Sequence, residues 1–173
     1  MATVNRASLN MKLNLFLKYG GVMNKYGDII ASKGREIAEK AGDAMVECVH
    51  NAITSSGLTG GAIAAIGNAS KDSVAETGRT GNTITFKVGV SVDQQSRPSL
   101  DPGRYGSVMD MAALFNNGYI AGGVVRGEWH GMMIDSLTHR PPTYFAEHAV
   151  DMFNSMYGAA YNATAELTSD RFD

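Results

Sequence analysis

The chain has 173 residues, 44% of them hydrophobic and 18% charged, with 20 glycines and a formal net charge of −2. Length and composition predict one globular domain able to bury a sizeable core, and they argue against a disordered chain. A lone cysteine, Cys48, excludes an internal disulfide framework and a multi-thiol zinc motif, and near neutrality argues against a strongly basic nucleic-acid binder. No apolar run approaches the ~18 residues of a membrane span, and the polar-interrupted start, Met1 to Tyr26, is unlike a secretory signal; a soluble, unexported protein is expected.

Charge is distributed unevenly. Residues 1–40 carry seven Lys/Arg against three Asp/Glu, and residues 141–173 carry one against five. The two ends, about +4 and −4, are solvated faces or partners of each other, within a subunit or between neighbouring subunits.

In chain order, residues 1–28 are ambiguous. Leu9, Met11, Leu13 and Leu15 alternate as in a strand, while Leu13, Phe16 and Leu17 have helical spacing, and a short helix or an N-terminal arm is expected. From Asp28, a plausible N-cap, Ile30, Ile37, Ala41, Ala44, Met45, Cys48 and Ala52 recur at helical intervals up to the Ser55-Ser56-Gly57 stop. That predicts an amphipathic helix of about 25 residues, ~38 Å long, with Cys48 as a small buried hydrophobe. The segment from Gly57 to Ala69 predicts one short helical turn between glycine-bearing loops, and its glycine spacing matches neither a phosphate loop nor a dinucleotide fingerprint.

Thr83 to Val92 alternates cleanly, with Ile84, Phe86, Val88, Val90 and Val92 on one face, and predicts a strand. A turn at Gly78 to Asn82 predicts a hairpin partner near Ser70 to Glu76, followed after the strand by a loop through Pro98 and Pro102. Met109 to Phe115 is apolar and stops at Asn116-Asn117-Gly118. Two β-leaning runs, Tyr119 to Arg126 and Glu128 to Leu137, predict a hairpin pairing across Gly127. After Arg140-Pro141-Pro142 the spacing of Tyr144, Phe145, His148, Ala149, Met152, Phe153, Met156, Ala160 and Ala163 predicts a second amphipathic helix to about Leu167, with Pro142 at its start and His148 on its packed edge. The expected fold is α+β: two long amphipathic helices on a small, mostly antiparallel sheet, divided into an extension at 1–28 and one domain at 29–173.

Residues patterned for chemistry are few. His130, Asp135 and His139 are the set from which a metal site would be gathered, yet no helical His-Glu-x-x-His motif or second carboxylate at ligand spacing joins them. No Gly-x-Ser-x-Gly elbow or cysteine in a polar setting is present. No catalytic residue, cofactor or metal is assigned on this basis. Trp129, the only tryptophan, lies between Glu128 and His130 near the expected hairpin tip, where an aromatic side chain is more often an interaction anchor than part of an active site. Lys12 and Lys18 of the basic start, with Trp129 and His130, are the candidate partner-contact residues.

The order of segments resembles the minor tail or tail-completion (neck) proteins of long-tailed bacteriophages. The matching pieces are Ile37 to Ile53, Leu58-Thr59-Gly60, Thr83 to Val92, Ala112-Ala113-Leu114-Phe115-Asn116-Asn117-Gly118, and Pro141-Pro142-Thr143-Tyr144-Phe145 leading into Ala149. Residues 119–140 are longer than the family's link, and residues 1–28 look like an addition. The resemblance implies a non-enzymatic virion subunit, made in the host cytoplasm, that forms a ring with copies of itself, sixfold by analogy. Its partners would be the head connector or adaptor, the tail terminator or tail tube, and the genomic DNA passing through without specific contact. A tail terminator or connector adaptor of the same virion is the alternative within that class; a small metal-dependent hydrolase using His130, Asp135 and His139, or an unrelated cytosolic binding module, is the alternative outside it. On this reading, removing residues 1–20 is expected to leave folding intact and abolish assembly.

Overall fold

The computed structural model describes residues 6–16, 23–81, 83–93, 97–98, 108–109, 111–121 and 138–167. In order these form β1 (Arg6–Phe16), α1 (Met23–Ser55), α2 (Gly60–Ile66), β2 (Ala69–Thr80), β3 (Thr83–Asp93), β4 (Arg97–Pro98), β5 (Val108–Met109), α3 (Met111–Asn117), β6 (Tyr119–Ala121), β7 (Thr138–Arg140), α4 (Phe145–Phe153), a π-helical turn (Asn154–Gly158), α5 (Ala159–Tyr161) and β8 (Ala163–Leu167). The fold is α+β, built on a four-stranded antiparallel sheet of order β2-β3-β1-β8. Among the described residues no helix is long and apolar enough to cross a membrane.

The expectation of a helix or arm at the start of the chain is corrected by β1. It pairs over its whole length with β3, from Arg6 opposite Asp93 to Phe16 opposite Thr83, and on its other side with β8, from Leu9 opposite Leu167 to Leu13 opposite Ala163. Long-range pairing selects the period of two over the competing helical spacing, because it puts Met11 and Leu13 on the face that is buried. One row of that face crosses all four strands through Val74, Val88, Met11 and Ala165, and the next carries Phe86, Leu13 and Ala163.

Two helices cover this face. α1 lies over β2 and β3, while α4 packs against α1 and over β8. α1 is 33 residues long, ~50 Å, and begins five positions before Asp28, which is therefore inside the helix and not its cap. Its buried stripe is Ala38, Ala41, Met45, Cys48, Val49, Ala52 and Ile53. Ile37, expected on that stripe, is 37% exposed, because the stripe follows the small residues that let the helix settle close to the sheet. Cys48 is buried as expected, and burial, with Glu47 nearby, pushes its thiol above the ordinary range.

Gly42 marks the closest approach. A Cβ there would stand 2.7 Å from Lys71 Cδ and 2.8 Å from Val88 Cγ1. Lys71 can yield, but Val88 is fully buried. Gly42→Ala gains helix propensity of about 1 kcal/mol, which overpacking of about 1–3 kcal/mol offsets or exceeds. The expected result is a net loss of stability in chemical denaturation, whereas Gly→Ala at an unobstructed mid-helix position would stabilise.

The short turn expected after α1 is α2, with Thr59 as N-cap. The expected β3 and its hairpin with β2 are present, the strands running on to Thr80 opposite Thr83. β4, within the expected loop, pairs with β5, which lies just beyond it, over two residues each. β6 and β7 pair with Tyr119 opposite Arg140, where pairing about Gly127 would have set Tyr119 opposite Asp135; residues 122–137 lie outside the described residues.

The last helix also departs from expectation. It stops at Tyr161, because Asn162 takes a left-handed conformation with φ 48°, a role asparagine fills as a C-terminal stop. Ala163 and Ala165 then alternate inward as strand β8. The π-turn widens the helix and shifts its phase, so that Tyr157 packs beside Phe153, with ring centroids 5.7 Å apart, and Met156 is 61% exposed. His148, expected on the packed edge, faces solvent.

Candidate functional site

Two segments distant in sequence, Phe115–Gly118 and Arg140–Glu147, meet at the start of α4. α3 ends at Asn117, and Gly118 follows with φ 75°. A side chain on Gly118 would meet Pro142 N at 2.6 Å and Arg140 O at 2.8 Å, so only glycine lets the two backbones touch here. Thr143 N donates to the Phe115 and Asn116 carbonyls at 3.2 and 3.1 Å, Tyr144 N donates to the Asn116 carbonyl at 3.0 Å, and the Thr143 hydroxyl donates to the Phe115 carbonyl at 2.8 Å.

Asn116 organises the junction. It is 0% exposed, and its Oδ1 accepts from Ala146 N at 2.9 Å, capping α4 from a residue 30 positions away in sequence. Its Nδ2 donates to Asn117 Oδ1 at 2.9 Å and to Glu147 Oε1 at 3.4 Å. Glu147 lies in the first turn of α4, where the helix dipole favours a carboxylate, and its Oε2 is buried without a protein partner.

Because Asn116 supplies the cap, Tyr144 at the N-cap position makes no side-chain capping bond. It sits instead in the left-handed region, φ 50° and ψ 34°, with its side chain 50% exposed. That backbone is an outlier for a bulky residue, and the bonds around it hold it there. The arrangement holds an exposed aromatic side chain on a hydrogen-bonded backbone, in a segment whose Arg140, Pro141 and His148 are exposed as well.

Of the residues singled out from the sequence, Lys12 occupies β1 opposite Lys87 of β3 and Thr164 of β8. Lys18, Trp129, His130 and Asp135 lie outside the described residues, and His139 is in β7 opposite Ile120. Among the described residues no three His, Cys, Asp or Glu side chains are grouped so as to hold a metal ion. The junction residues Asn116, Tyr144 and Glu147 were not among those candidates. The readable signals were an Asn-Asn-Gly stop and a Pro-Pro-Thr lead; that they bind each other depends on tertiary structure.

A second feature lies at the β2 edge of the sheet. Arg35 and Glu39 of α1 and Lys71, Asp72, Ser73 and Val74 of β2 line a groove of ≈ 250 Å³. Lys71 Nζ bonds Asp43 Oδ1 at 2.8 Å and the Glu39 carbonyl at 3.1 Å, and Asp72 Oδ1 accepts from the Ser91 hydroxyl at 2.6 Å.

The fold and this site define an α+β protein whose described surface offers a projecting aromatic and a polar groove. Set against protein-family models, curated proteins and solved structures, the chain matches none.

Proposed function

We propose that this chain is a structural subunit of a bacteriophage virion, a ring-forming neck or tail-completion protein that joins the head connector to the tail tube. The observation that carries the reading is the junction at α4. Two pieces of the resemblance, Ala112 to Gly118 and Pro141 to Phe145, are bound to each other through Asn116 and the backbone of Thr143 and Tyr144. A motif pair that is distant in sequence yet shares one hydrogen-bonded unit behaves as a single feature of a fold. In this reading α1 and the run from α4 through α5 are the two amphipathic helices on the sheet, and β6 with β7 begins the longer link between the motif pieces.

β1 and β8 are neighbours, with Glu166 opposite Asn10 and Thr164 opposite Lys12, so no opposite charges of these two strands stand directly across from each other.

The test is electron microscopy of lysates from a phage carrying an early stop codon in this gene. Filled heads and separate tails are expected. Misshapen or overlong tails would move the assignment to a tail terminator, and intact virions would overturn a structural role; stoichiometric metal in the purified protein would then direct attention to His130, Asp135 and His139.

A further inference from the structure

The sequence holds a single Asn-Gly pair, Asn117-Gly118, and the fold places it in the junction at the start of α4. Asn117 is exposed and ends α3, a helix of only seven residues, and the last turn of a helix is the part that frays. Its Oδ1 accepts from Asn116 Nδ2 at 2.9 Å. Gly118 has no side chain to screen its backbone nitrogen, and its neighbours Pro142 and Arg140 leave no space there for added atoms.

We propose that Asn117-Gly118 is a self-modifying site, a covalent latch that opens the junction in one direction. In the first step the Gly118 nitrogen attacks Asn117 Cγ. A C–N bond forms, the Gly118 N–H proton passes to hydroxide, and negative charge gathers on Oδ1, which the Asn116 amide already meets with a donor. The tetrahedral carbon then expels Nδ2 as ammonia, which takes a proton from water and returns the hydroxide, leaving a five-membered succinimide. Water opens that ring in one of two ways. Addition at Cγ restores the ordinary backbone with aspartate at 117; addition at the main-chain carbonyl sends the chain through Cβ and Cγ, an isoaspartate one methylene longer. The net change in either case is the exchange of ammonia for water.

Ring closure requires Asn117 Cγ and the Gly118 nitrogen to approach, and the junction restricts that motion. The carbonyls of Phe115 and Asn116 are bonded to Thr143 N, Tyr144 N and the Thr143 hydroxyl, so the pair is held until those bonds open locally. The isoaspartate product cannot close again. Its extra methylene falls beside a residue at which an added Cβ would already stand 2.6 to 2.9 Å from Pro142 and Arg140 atoms. The new carboxylate also lies at the C-terminal end of α3, where the helix dipole disfavours negative charge, and it shares Asn116 Nδ2 with Glu147 Oε1. This chemistry is independent of any role in a virion.

The test incubates the full chain at neutral and at mildly alkaline pH and follows it by peptide mass spectrometry, isoaspartyl methyltransferase labelling and thermal unfolding. Conversion is expected at Asn117 and is expected to be faster at the higher pH, because hydroxide takes the proton. Asn162, also exposed but followed by Ala163, is expected to stay intact as the internal control. Thr143→Val, which loses the hydroxyl bond to the Phe115 carbonyl, is expected to convert roughly two- to tenfold faster. Isoaspartate-bearing chains are expected to unfold roughly 5 °C or more below fresh ones, whereas Asn117→Gln, which cannot form the five-membered ring, is expected to keep its midpoint through the same incubation. Full retention of Asn117 in both wild type and Thr143→Val would overturn the site. Equal rates in those two chains, or equal conversion at Asn117 and Asn162, would overturn its control by the junction, and an isoaspartate product with an unchanged midpoint would overturn the latch.

Discussion

A chain lacking residues 1–20 is expected to show no cooperative unfolding transition in thermal or chemical denaturation and to be degraded rapidly by dilute protease. The deletion removes all of β1, which is hydrogen-bonded on both sides, to β3 and to β8. Its loss leaves β8 without a strand partner and turns β3 into an edge. Met11 and Leu13, 1% and 0% exposed, each contribute about 1.5–3 kcal/mol by burial alone, against a total stability of about 5–15 kcal/mol for a domain. The point variant Leu13→Ala, with a cavity left behind, is expected to cost about 2–5 kcal/mol in urea denaturation while preserving the transition. A truncated chain with native circular dichroism and an unchanged midpoint would show β1 to be dispensable. This outcome bears on function as well: assembly lost in such a deletion reports a missing core strand, not a missing contact arm, so the role of Lys12 or Lys18 has to be tested by substitution.

What the sequence conveyed about the fold depended on whether a segment's local pattern agreed with its tertiary environment. α1, α2 and β3 were legible because one period dominated each. In β1 the two periods coexisted at Leu13, and the choice between them was made by its distant partners, Phe86 of β3 and Ala163 of β8. β8 was misread because Ala160 and Ala163 continue the helical spacing of Phe145, Ala149 and Phe153; the stop was a single residue, Asn162, whose left-handed conformation has no periodic signature. The π-turn hid in the same way, since one wide turn shifts the phase without changing composition. At the junction, Asn-Asn-Gly was legible as a stop and Pro-Pro-Thr as a lead. That Asn116 is a buried cap, and that it leaves Tyr144 facing outward, follows only when the two segments are side by side.

The junction makes the second large prediction. Gly118→Ala is expected to destabilise by about 3 kcal/mol or more, and the reason is contact geometry more than backbone preference. The left-handed φ of 75° costs alanine only about 1–2 kcal/mol. The added Cβ, however, would meet Pro142 N at 2.6 Å, Arg140 O at 2.8 Å and Pro142 Cδ at 2.9 Å, and backbone atoms cannot turn aside as a side chain can. Relief requires the backbone at Pro142 to move off Gly118, which pulls Thr143 and Tyr144 from the Phe115 and Asn116 carbonyls and uncouples α3 from the start of α4. Asn116→Ala removes the cap, worth about 1 kcal/mol, and takes from the half-buried Glu147 Oε1 its 3.4 Å donor, adding about 0.5–1.5 kcal/mol for the lost hydrogen bond. Asn116→Asp separates these roles, because it keeps an acceptor for Ala146 N while placing a second carboxylate against Glu147. Repulsion raises the introduced carboxylate's pKa in the folded state above its unfolded value, so the folded state binds the proton more tightly and stability is lost as pH rises through that interval. The variant's deficit in urea denaturation is therefore expected to be smaller near pH 4 than at pH 7. A deficit equal at both would mean that Glu147 does not face Asn116, and the capping unit would then reduce to the single bond from Ala146 N.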